Sequence, residues 1–356
     1  MHLVLTLDYE VFGKGSGDVF EHMILPTRKL LEICERTNIR VSIFFEVIEY
    51  LKIKKEWDSG NRMGYTENPV EAIENQLKDA YLAGHDIQMH LHPQWLNARY
   101  EDGWKVDENY WRLPLVNREG CGCSIEELIR KGKETIENII KSVNRDYKCR
   151  ALRAADFNIY PSEEICAAMR STGMEADSSV VPGAIMDDGY SLFDYSGIPR
   201  TLPYWYVNSD DLMEADARFM QDVSLIEMPV FTLPVTRLRK FDSQRIRVKM
   251  ANMNYALQRL KQKTGTKSYF DKIRYYLGRE SVIWDFCLFS YGKMKQYYRG
   301  AERIVENSDY RFHPVVLVGH SKEFINAAPF GKFIRFASRS GSEFITISEV
   351  LEKARK

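Results

Sequence analysis

The sequence has 356 residues, of which 44% are hydrophobic, 28% charged and 12% aromatic, a composition typical of folded domains and not of disordered chains. Its 50 Lys and Arg residues balance 50 Asp and Glu residues, so the net charge indicates no class of partner. No run approaches the roughly 18 consecutive apolar residues of a membrane-spanning helix. The six cysteines are scattered along the chain, which favours reduced thiols in a cytoplasmic protein over a disulfide framework.

The first residues predict a buried strand that ends in two acids. Residues 2–7 are an apolar run of strand length, without the basic start and cleavage site of a secretion signal, so we expect a cytoplasmic protein. Asp8 and Glu10 follow, and they share one face of an extended chain. Barrel-type enzymes place their chemistry at the carboxyl ends of such strands, although solvated loop acids give the same pattern.

The third predicted strand carries the densest group of histidines in the chain. The elements that lead to it are a helix over 26–37, a strand over 41–45 and a helix over 69–83. After Gly84, apolar and polar residues alternate, so His90 and His92 point to the same side, about 6–7 Å apart. Pro93 then ends strand pairing. Two imidazoles at one strand end suit a divalent metal, and edge histidines bonded to water or backbone are the alternative.

A loop over 94–122 follows this strand and is rich in Gly, Asn and aromatic residues. A loop of this length is typical of a lid or of a groove wall. Its aromatic side chains could stack on a sugar ring, or they could fill apolar space beneath the loop. They are Trp95, Trp104, Tyr110 and Trp111. The next helix is predicted to begin at Ser124, where Ser-Ile-Glu-Glu has the capping-box pattern.

Further strand ends carry side chains of functional types. Residues 151–159 lead from a strand into a loop and contain Arg153, a candidate for orienting a carboxylate. Residues 174–180 form another short strand and loop, and a buried-type strand over 314–319 ends in His320. Four strand ends therefore deliver paired acids, His-x-His, Arg and His, which is the pattern expected of a catalytic edge in a barrel or parallel sheet.

The segment 236–303 differs from the rest of the chain in charge. It contains 17 Lys or Arg residues against 5 Asp or Glu residues, a net charge of +12, so the remainder carries −12. It is also rich in aromatic residues, with helical spacing through much of its length. Such a surface can contact an anionic membrane face or a phosphate-bearing substrate, whereas a solvated basic face over an aromatic core is the alternative. No RNA-recognition motif is visible, and we predict no nucleic-acid partner.

In five short motifs the chain resembles the polysaccharide deacetylases of the NodB-homology fold, a family of carbohydrate esterases. The motifs occur in the family's order and are Leu5-Thr6-Leu7-Asp8-Tyr9-Glu10, Gly84 to His90, Leu152-Arg153-Ala154, Asp177-Ser178-Ser179 and Leu317-Val318-Gly319-His320. The resemblance implies an α/β fold, a distorted (β/α) barrel formed by one catalytic domain over 1–356. The segment 236–303 would be a basic, helical insertion within that domain.

The resemblance also implies a role for each matched residue. Asp8 would be the general base, Arg153 the residue that orients it, and His320 the general acid. Glu10 and His90 would be ligands of a divalent metal, which we expect to be Zn2+. Many members of the family have His-x-x-x-His, whereas position 94 is Gln here, so we predict His92 as the third ligand.

The function that the resemblance implies is metal-dependent removal of an N-acetyl or other acyl group from an amino sugar. Zinc with three protein ligands activates water near neutral pH; Asp8 would take the proton of that water and His320 would protonate the departing amine. We expect Trp95, Asp156 and Asp177 to contact the substrate. Because we expect a cytoplasmic protein, the substrate would be a surface polysaccharide or its lipid-linked precursor, with peripheral membrane contact through 236–303.

Three other interpretations are compatible with the sequence. One is an RNA-binding protein that uses the basic segment, whose affinity would fall steeply with salt and would not need the histidines. A related amide hydrolase could act on a small non-sugar substrate, or a catalytically silent relative could bind a glycan. A silent relative would usually have lost part of the acid and metal set, and every member of that set is present here. The oligomeric state is not predicted.

Overall fold

The protein is organised around a parallel β-sheet, shown by a computed structural model that describes residues 1–221, 223–237, 242–255 and 278–356. The strands are β1 (His2–Tyr9), β2 (Ser42–Glu46), β3 (Asp86–Leu91), β4 (Arg99–Tyr100), β5 (Trp104–Lys105), β6 (Ala151–Ala154), β7 (Ala176–Asp177), β8 (Ile185–Asp187), β9 (Leu192–Asp194), β10 (Trp205–Val207), β11 (Leu225–Glu227), β12 (Thr232–Thr236), β13 (Arg279–Ile283), β14 (Pro314–His320) and β15 (Glu343–Phe344).

The helices lie between the strands. They are α1 (Leu25–Thr37), α2 (Val47–Asp58), α3 (Pro69–Leu82), α4 (Arg118–Cys121), α5 (Ile125–Lys141), α6 (Glu163–Thr172), α7 (Ser243–Ala251), α8 (Tyr291–Glu306), α9 (Ala327–Arg339) and α10 (Ile347–Ala354). Shorter turns are a π-helical turn at Phe20–Ile24 and 3-10 turns at Pro93–Trp95, Glu108–Tyr110, Leu113–Leu115, Ala155–Phe157 and Ser321–Glu323. Among the described residues, no helix is long and apolar enough to cross a membrane.

The main sheet has the strand order β10-β11-β7-β6-β3-β2-β1-β14, and β15 pairs with the first residues of β1. Every pair along this order is parallel except β10 with β11. Leu3, Leu5 and Leu7 of β1 are fully buried. A parallel strand is covered on both faces, which is why β1 and β14 are continuous apolar runs.

The two ends of this sheet meet and close it into a distorted barrel. After β11, the amide of Phe231 donates to the carbonyl of Val316 in β14 at 2.9 Å. After β13, the amide of Phe286 donates to the carbonyl of Val318, and the amide of Val318 donates to the carbonyl of Trp284. This closure confirms the predicted distorted (β/α) barrel, in which the carboxyl ends of the strands meet around one opening.

Local capping explains where several helices begin. Ser124 and Glu127 form the predicted capping box of α5, and Asn68 caps α3 with its side chain. Glu46, the last residue of β2, caps α2 by accepting from the amides of Ile48 and Glu49. The strands and helices predicted before residue 180 are confirmed, with boundaries shifted by one or two residues.

The range 236–303, predicted as a basic helical insertion, is only partly helical. Its described residues form α7, the strand β13 and most of α8, while 238–241 and 256–277, with several of its aromatic residues, lie outside the described part. β13 pairs antiparallel with β12, and α8 packs against α9. Residues 279–303 thus belong to the barrel and its helical layer, because Val282 and Trp284 are buried in the core.

Candidate active site

The carboxyl ends of β1 and β3 bring one carboxylate and two imidazoles together. Oε2 of Glu10 lies 2.6 Å from Nε2 of His92 and 3.6 Å from Nε2 of His90. The two Nε2 atoms are 3.0 Å apart, and all three side chains are buried. β2 lies between β1 and β3, and its last residue, Glu46, pairs with His90. The barrel edge therefore gathers residues that are about 80 positions apart in the sequence.

These three ligand atoms fit a divalent metal. Zinc held by nitrogen or oxygen at about 2.0–2.1 Å in a tetrahedron separates neighbouring ligand atoms by about 3.3 Å. The observed separations of 2.6, 3.0 and 3.6 Å bracket that value. Two histidines and a carboxylate are also a common donor set of catalytic zinc sites, which leave a coordination position open.

The hydrogen bond that each histidine makes through Nδ1 determines whether its Nε2 is free to bind a metal. Nδ1 of His90 donates to the carbonyl of Arg153 at 2.8 Å, which leaves its Nε2 free to bind a metal. Nδ1 of His92 lies 2.8 Å from Nε2 of Gln94, whose Oε1 is buried without a partner. If the Gln94 amide were turned by about 180°, its Oε1 could accept from Nδ1–H of His92, which would leave Nε2 of His92 free to bind a metal. The turned amide would lose the 3.3 Å hydrogen bond that Nε2 of Gln94 donates to the carbonyl of Gly13.

Asp8 is held by a buried arginine. Nη1 of Arg153 lies 2.6 Å from Oδ1 of Asp8 and donates to Oγ1 of Thr6 at 2.9 Å. The other guanidinium nitrogens donate to the carbonyl and hydroxyl of Ser178, and the guanidinium carbon lies 4.1 Å from the centre of the Phe44 ring. Burial would raise the pKa of Asp8, but the charges of Arg153, His90 and His320 together outweigh it and lower the pKa below its ordinary value.

His320, at the end of β14, lies among three carboxylates. Its Nε2 is 3.5 Å from Oδ2 of Asp8, and its Nδ1 is 3.1 Å from Oε2 of Glu323 and 3.7 Å from Oδ2 of Asp285. Burial acts to lower the pKa of His320, but Asp285, Glu323 and Asp8 together raise it well above its ordinary value. A protonated imidazole beside an ionised carboxylate is a pairing suited to acid and base catalysis.

A lysine that follows His320 completes the arrangement. Nζ of Lys322 lies 2.7 Å from Oε1 of Glu10 and donates to the carbonyl of Val11 at 2.9 Å. Burial would raise the pKa of Glu10, but Lys322 and His92 hold it well below its usual range. Oε1 of Glu10 thus faces an ammonium, while Oε2 faces the two histidines.

These groups open into a cavity of about 400 Å3. Phe12, Trp111 and Tyr255 line it, together with the charged residues described above. Asp156 also lines it, accepts from Nε1 of Trp111 at 2.6 Å, and has a left-handed backbone conformation with φ of 48°. The neighbouring Phe157 has φ of 60°. Two consecutive non-glycine residues in this region are costly, and such strain is concentrated at functional sites.

Most of the residues predicted from the sequence meet at this cavity. Its lining contains Asp8, Glu10, His90, His92, Asp156 and His320, and Arg153 lies directly behind Asp8. Two predicted substrate contacts do not lie there. Trp95 is 1% exposed and packs edge-on against Trp104 in the core, because the turn after Pro93 directs it inward. Asp177 is fully buried, and its carboxylate accepts from the amide and hydroxyl of Ser179.

The sequence reasoning missed several residues of the site. Lys322 is two positions beyond His320, and this spacing repeats that of Asp8 with Glu10 and of His90 with His92, so the pattern could have identified it. Asp285 comes from the stretch after β13, and no local signal points to it. Part of the basic segment also lines the cavity, through Val248, Lys249, Asn252 and Tyr255.

The described residues contain a second group that could hold a metal, formed by Asp285, His320 and Glu323. Both carboxylates of this group lie on the Nδ1 side of the imidazole. The group of Glu10, His90 and His92 is buried throughout and supplies two imidazoles. It is therefore the better candidate for a zinc-type site.

Comparison with known proteins gives structural likeness alone. No protein-family model matches the chain, and no curated protein matches its sequence. A branching enzyme of family GH57 from Thermococcus kodakaraensis is 11% identical with a TM-score of 0.50, over 99% of this chain and 70% of that one. A Mycobacterium smegmatis protein, provisionally named a polysaccharide deacetylase, is 12% identical with a TM-score of 0.49, over 99% and 90% of the two chains.

Puue allantoinase is 11% identical with a TM-score of 0.45, over 99% of this chain and 89% of that one. At these identities the likeness concerns the fold.

Proposed function

We propose that this protein is a metal-dependent hydrolase that removes an acyl group, in the simplest case acetyl, from the nitrogen of an amino sugar. The substrate would belong to a surface polysaccharide or to its lipid-linked precursor. The observation that carries this proposal is the convergence of Asp8 with Arg153, of Glu10 with two histidines, and of His320 on one cavity. The same residues stand in the motifs that resemble the polysaccharide deacetylases.

Glu10, His90 and His92 would hold the metal, which we expect to be zinc. A bound metal of this kind supplies Lewis acidity that polarises a carbonyl oxygen and makes water nucleophilic near neutral pH. Lys322 neutralises the charge of Glu10, so a bound dication would keep the site positive toward a developing oxyanion.

Asp8 would act as the general base. Arg153 fixes its Oδ1, leaves Oδ2 directed to the cavity side where His320 lies, and keeps the carboxylate ionised. An ionised and oriented carboxylate can accept a proton from water as that water attacks an amide carbonyl.

His320 would act as the general acid. Its raised pKa keeps the imidazole protonated near neutral pH, and Glu323 and Asp285 hold Nδ1 so that Nε2 faces Asp8. Donation of the Nε2 proton to the amine nitrogen would allow the carbon–nitrogen bond to break, and the proton that Asp8 has accepted could then return His320 to its charged form.

The cavity walls suit a sugar. Trp111, Phe12 and Tyr255 offer aromatic surface, and Asp156 and Lys249 offer polar groups at the same cavity. A cavity of about 400 Å3 lies within the range of small-molecule sites.

Metal content tests this proposal first. We expect about one zinc or similar ion per purified chain, and its loss in His90→Ala. The matched control is His2→Ala, because His2 lies at the opposite end of the barrel, beside Glu343. Absence of metal from the native protein, even after addition of zinc, would overturn the hydrolase mechanism.

An assay of acyl release then separates the alternatives. The zinc-loaded protein is offered N-acetylated amino sugars, short chitin-type oligomers and small non-sugar amides. Release of acetate from the sugars, lost in Asp8→Asn, supports the proposal. Release from the non-sugar amides alone would favour the related amide hydrolase. Sugar binding without release would favour a silent glycan-binding protein.

A further inference from the structure

Helix α7 packs on the barrel through polar side chains. Gln244, Val248 and Asn252, spaced by one helical turn, face inward and are buried. Nε2 of Gln244 donates to the carbonyl of Cys287 at 3.2 Å, and Nδ2 of Asn252 donates to the carbonyl of Lys322 at 3.0 Å. The inner face of this helix therefore carries two amides and one apolar residue, the reverse of an ordinary surface helix.

The outer face of α7 and of the turn after it is apolar. Ile246, Met250 and Met253 are 48%, 71% and 73% exposed, and their spacing places them on one side. Within the described ranges, every other helix carries at most one exposed large apolar side chain. The part of the barrel that the structure describes thus leaves this face uncovered, and contiguous exposed apolar patches mark contact surfaces.

Cations flank this apolar face on both sides. Arg247 lies to one side of it and Lys249 to the other, at the angles set by 3.6 residues per turn. Residues 243–251 contain no acidic residue. An apolar stripe bordered by cations is the arrangement of helices that lie in the interface of an anionic membrane.

We propose that this face of α7 docks on an anionic lipid bilayer. Ile246, Met250 and Met253 enter the boundary between headgroups and acyl chains, where their apolar surface leaves water. Arg247 reaches the lipid phosphates, since a long cationic side chain can extend from a buried stem to the interface. The contact is peripheral and reversible.

The position of α7 gives this contact a consequence for the site. Val248, Lys249, Asn252 and Tyr255 line the cavity that contains Asp8. A bilayer against the outer face of the same helix therefore lies beside the cavity rim. On the basis of the function proposed above, the substrate class is an acylated amino sugar attached to a membrane lipid, which reaches the cavity while its lipid remains in the bilayer.

Sedimentation with vesicles tests the docking surface without any assay of activity. The full-length protein is mixed with vesicles of phosphatidylcholine alone or with one third phosphatidylglycerol. We expect binding to the anionic vesicles and a reduction of about tenfold or more in Met250→Ser/Met253→Ser, from the lost apolar burial. The matched control is Leu82→Ser/Ile185→Ser, whose two side chains are each 65% exposed elsewhere, and it should bind like the native protein.

Three results would overturn this docking surface. They are no binding of the native protein to anionic vesicles, equal binding of the two double variants, or a change of oligomeric state in Met250→Ser/Met253→Ser with vesicle binding unaffected. The last result would show that the face joins two copies of the chain. Circular dichroism spectra of both variants exclude misfolding as the cause.

Acyl release separates this inference from the proposed function. Met250→Ser/Met253→Ser should release acetate from a water-soluble amino sugar like the native protein, and at least about fivefold more slowly from an N-acetylglucosaminyl lipid in anionic vesicles. Vesicle binding without release from either substrate would leave the docking surface intact and contradict the proposed hydrolase. If Met250→Ser/Met253→Ser released acetate from both substrates at the native rates, the proposal of a lipid-linked substrate would be contradicted.

Discussion

The ammonium of Lys322 lies 2.7 Å from Oε1 of Glu10, a carboxylate that is buried beside the two histidines of the candidate metal site, and the lysine side chain is 12% exposed. The lysine also donates to the carbonyl of Val11, so its position is fixed by two acceptors. Its presence raises the positive charge around a carboxylate that, in our proposal, also binds a dication through Oε2.

Replacement of this lysine should destabilise the protein. Lys322→Met leaves Glu10 buried without its nearest cation, and we expect a loss of about 3–5 kcal/mol in the free energy of unfolding. Zinc should restore part of the loss, because it supplies positive charge at Oε2 of the same carboxylate. The measurement is urea denaturation with and without zinc. The double variant with Glu10→Gln should lose less than the sum of the single variants, and simple additivity would contradict the coupling.

Replacement of Arg153 should change both stability and the response to acid. Arg153→Met removes the strongest of the charges that lower the pKa of Asp8, so burial then raises that pKa with less opposition. A depressed pKa stabilises the fold above the ordinary pKa of the carboxyl, and this stabilisation is lost as the pH falls through the folded-state pKa. We therefore expect acid unfolding at a higher pH in the variant, and a loss of about 3–5 kcal/mol near neutral pH.

Arg153→Lys serves as the control for this prediction. It keeps the positive charge but loses the guanidinium nitrogens that donate hydrogen bonds to Thr6 and Ser178. It should keep the acid midpoint close to the native value while losing part of the stability. An acid midpoint unchanged in Arg153→Met would show that Asp8 does not depend on this cation.

His320 should govern the alkaline side of the pH dependence. Because its folded-state pKa is raised, its contribution to stability is full below the ordinary pKa near 6.5 and is lost as the pH rises through the raised value. The stability difference between the native protein and His320→Gln should therefore shrink with rising pH. Acyl release should fall about 10²–10⁴-fold in the variant and lose its alkaline limb.

His313→Gln is the matched control for His320. Burial lowers the pKa of His313 to about 4, so this residue is neutral across the same range. Its substitution should give a stability difference that stays constant above about pH 7.5, where the imidazole is neutral in the unfolded chain as well. A parallel slope in both variants would show that the effect is not specific to His320.

Gln94 should tune metal affinity through His92. Gln94→Ala removes the group that can hold Nδ1–H of His92, and loss of such an outer hydrogen bond typically weakens metal binding ten- to hundredfold. Gln94→Glu can only accept from Nδ1–H, so we expect binding at least as tight as in the native protein. Competition with a chromogenic zinc chelator measures both. Weaker binding in both variants to the same degree would contradict this role.

The strand ends could be predicted from the sequence because one periodicity and one rule of strand pairing determine them. Alternation with a period of two places Glu10, His90 and His92 on defined faces, and parallel pairing gathers strand ends whatever their separation in sequence. The partners of His320 could not be predicted in the same way. Asp285 is 35 positions before it and reaches it only because the chain at Trp284–Phe286 pairs with β14.

The positions of the aromatic side chains could not be predicted from the sequence either. Trp95 and Trp111 belong to one loop and have the same local chemistry, yet Trp95 fills the core and Trp111 faces the cavity. The difference comes from the turn after Pro93 and from the bond of Trp111 to Asp156, which depend on tertiary packing. The basic segment is likewise recognisable by its charge. The contact of its helix α7 with the cavity, however, follows from the hydrogen bonds that the side-chain amides of Gln244 and Asn252 donate to backbone carbonyls.

The closure of the barrel has a consequence for thermal inactivation. On the side of β14 that faces away from β1, the barrel is closed by isolated bridges at Val230 and Asp285. By contrast, β1, β2 and β3 form uninterrupted ladders. A transient parting along this line would carry Asp285 away from His320 and leave the ligands on β1 and β3 in place. Asp285 helps to keep His320, the proposed proton donor, in its charged form. On warming, the protein should therefore lose this support of His320 at a lower temperature than the one at which it releases a bound ion.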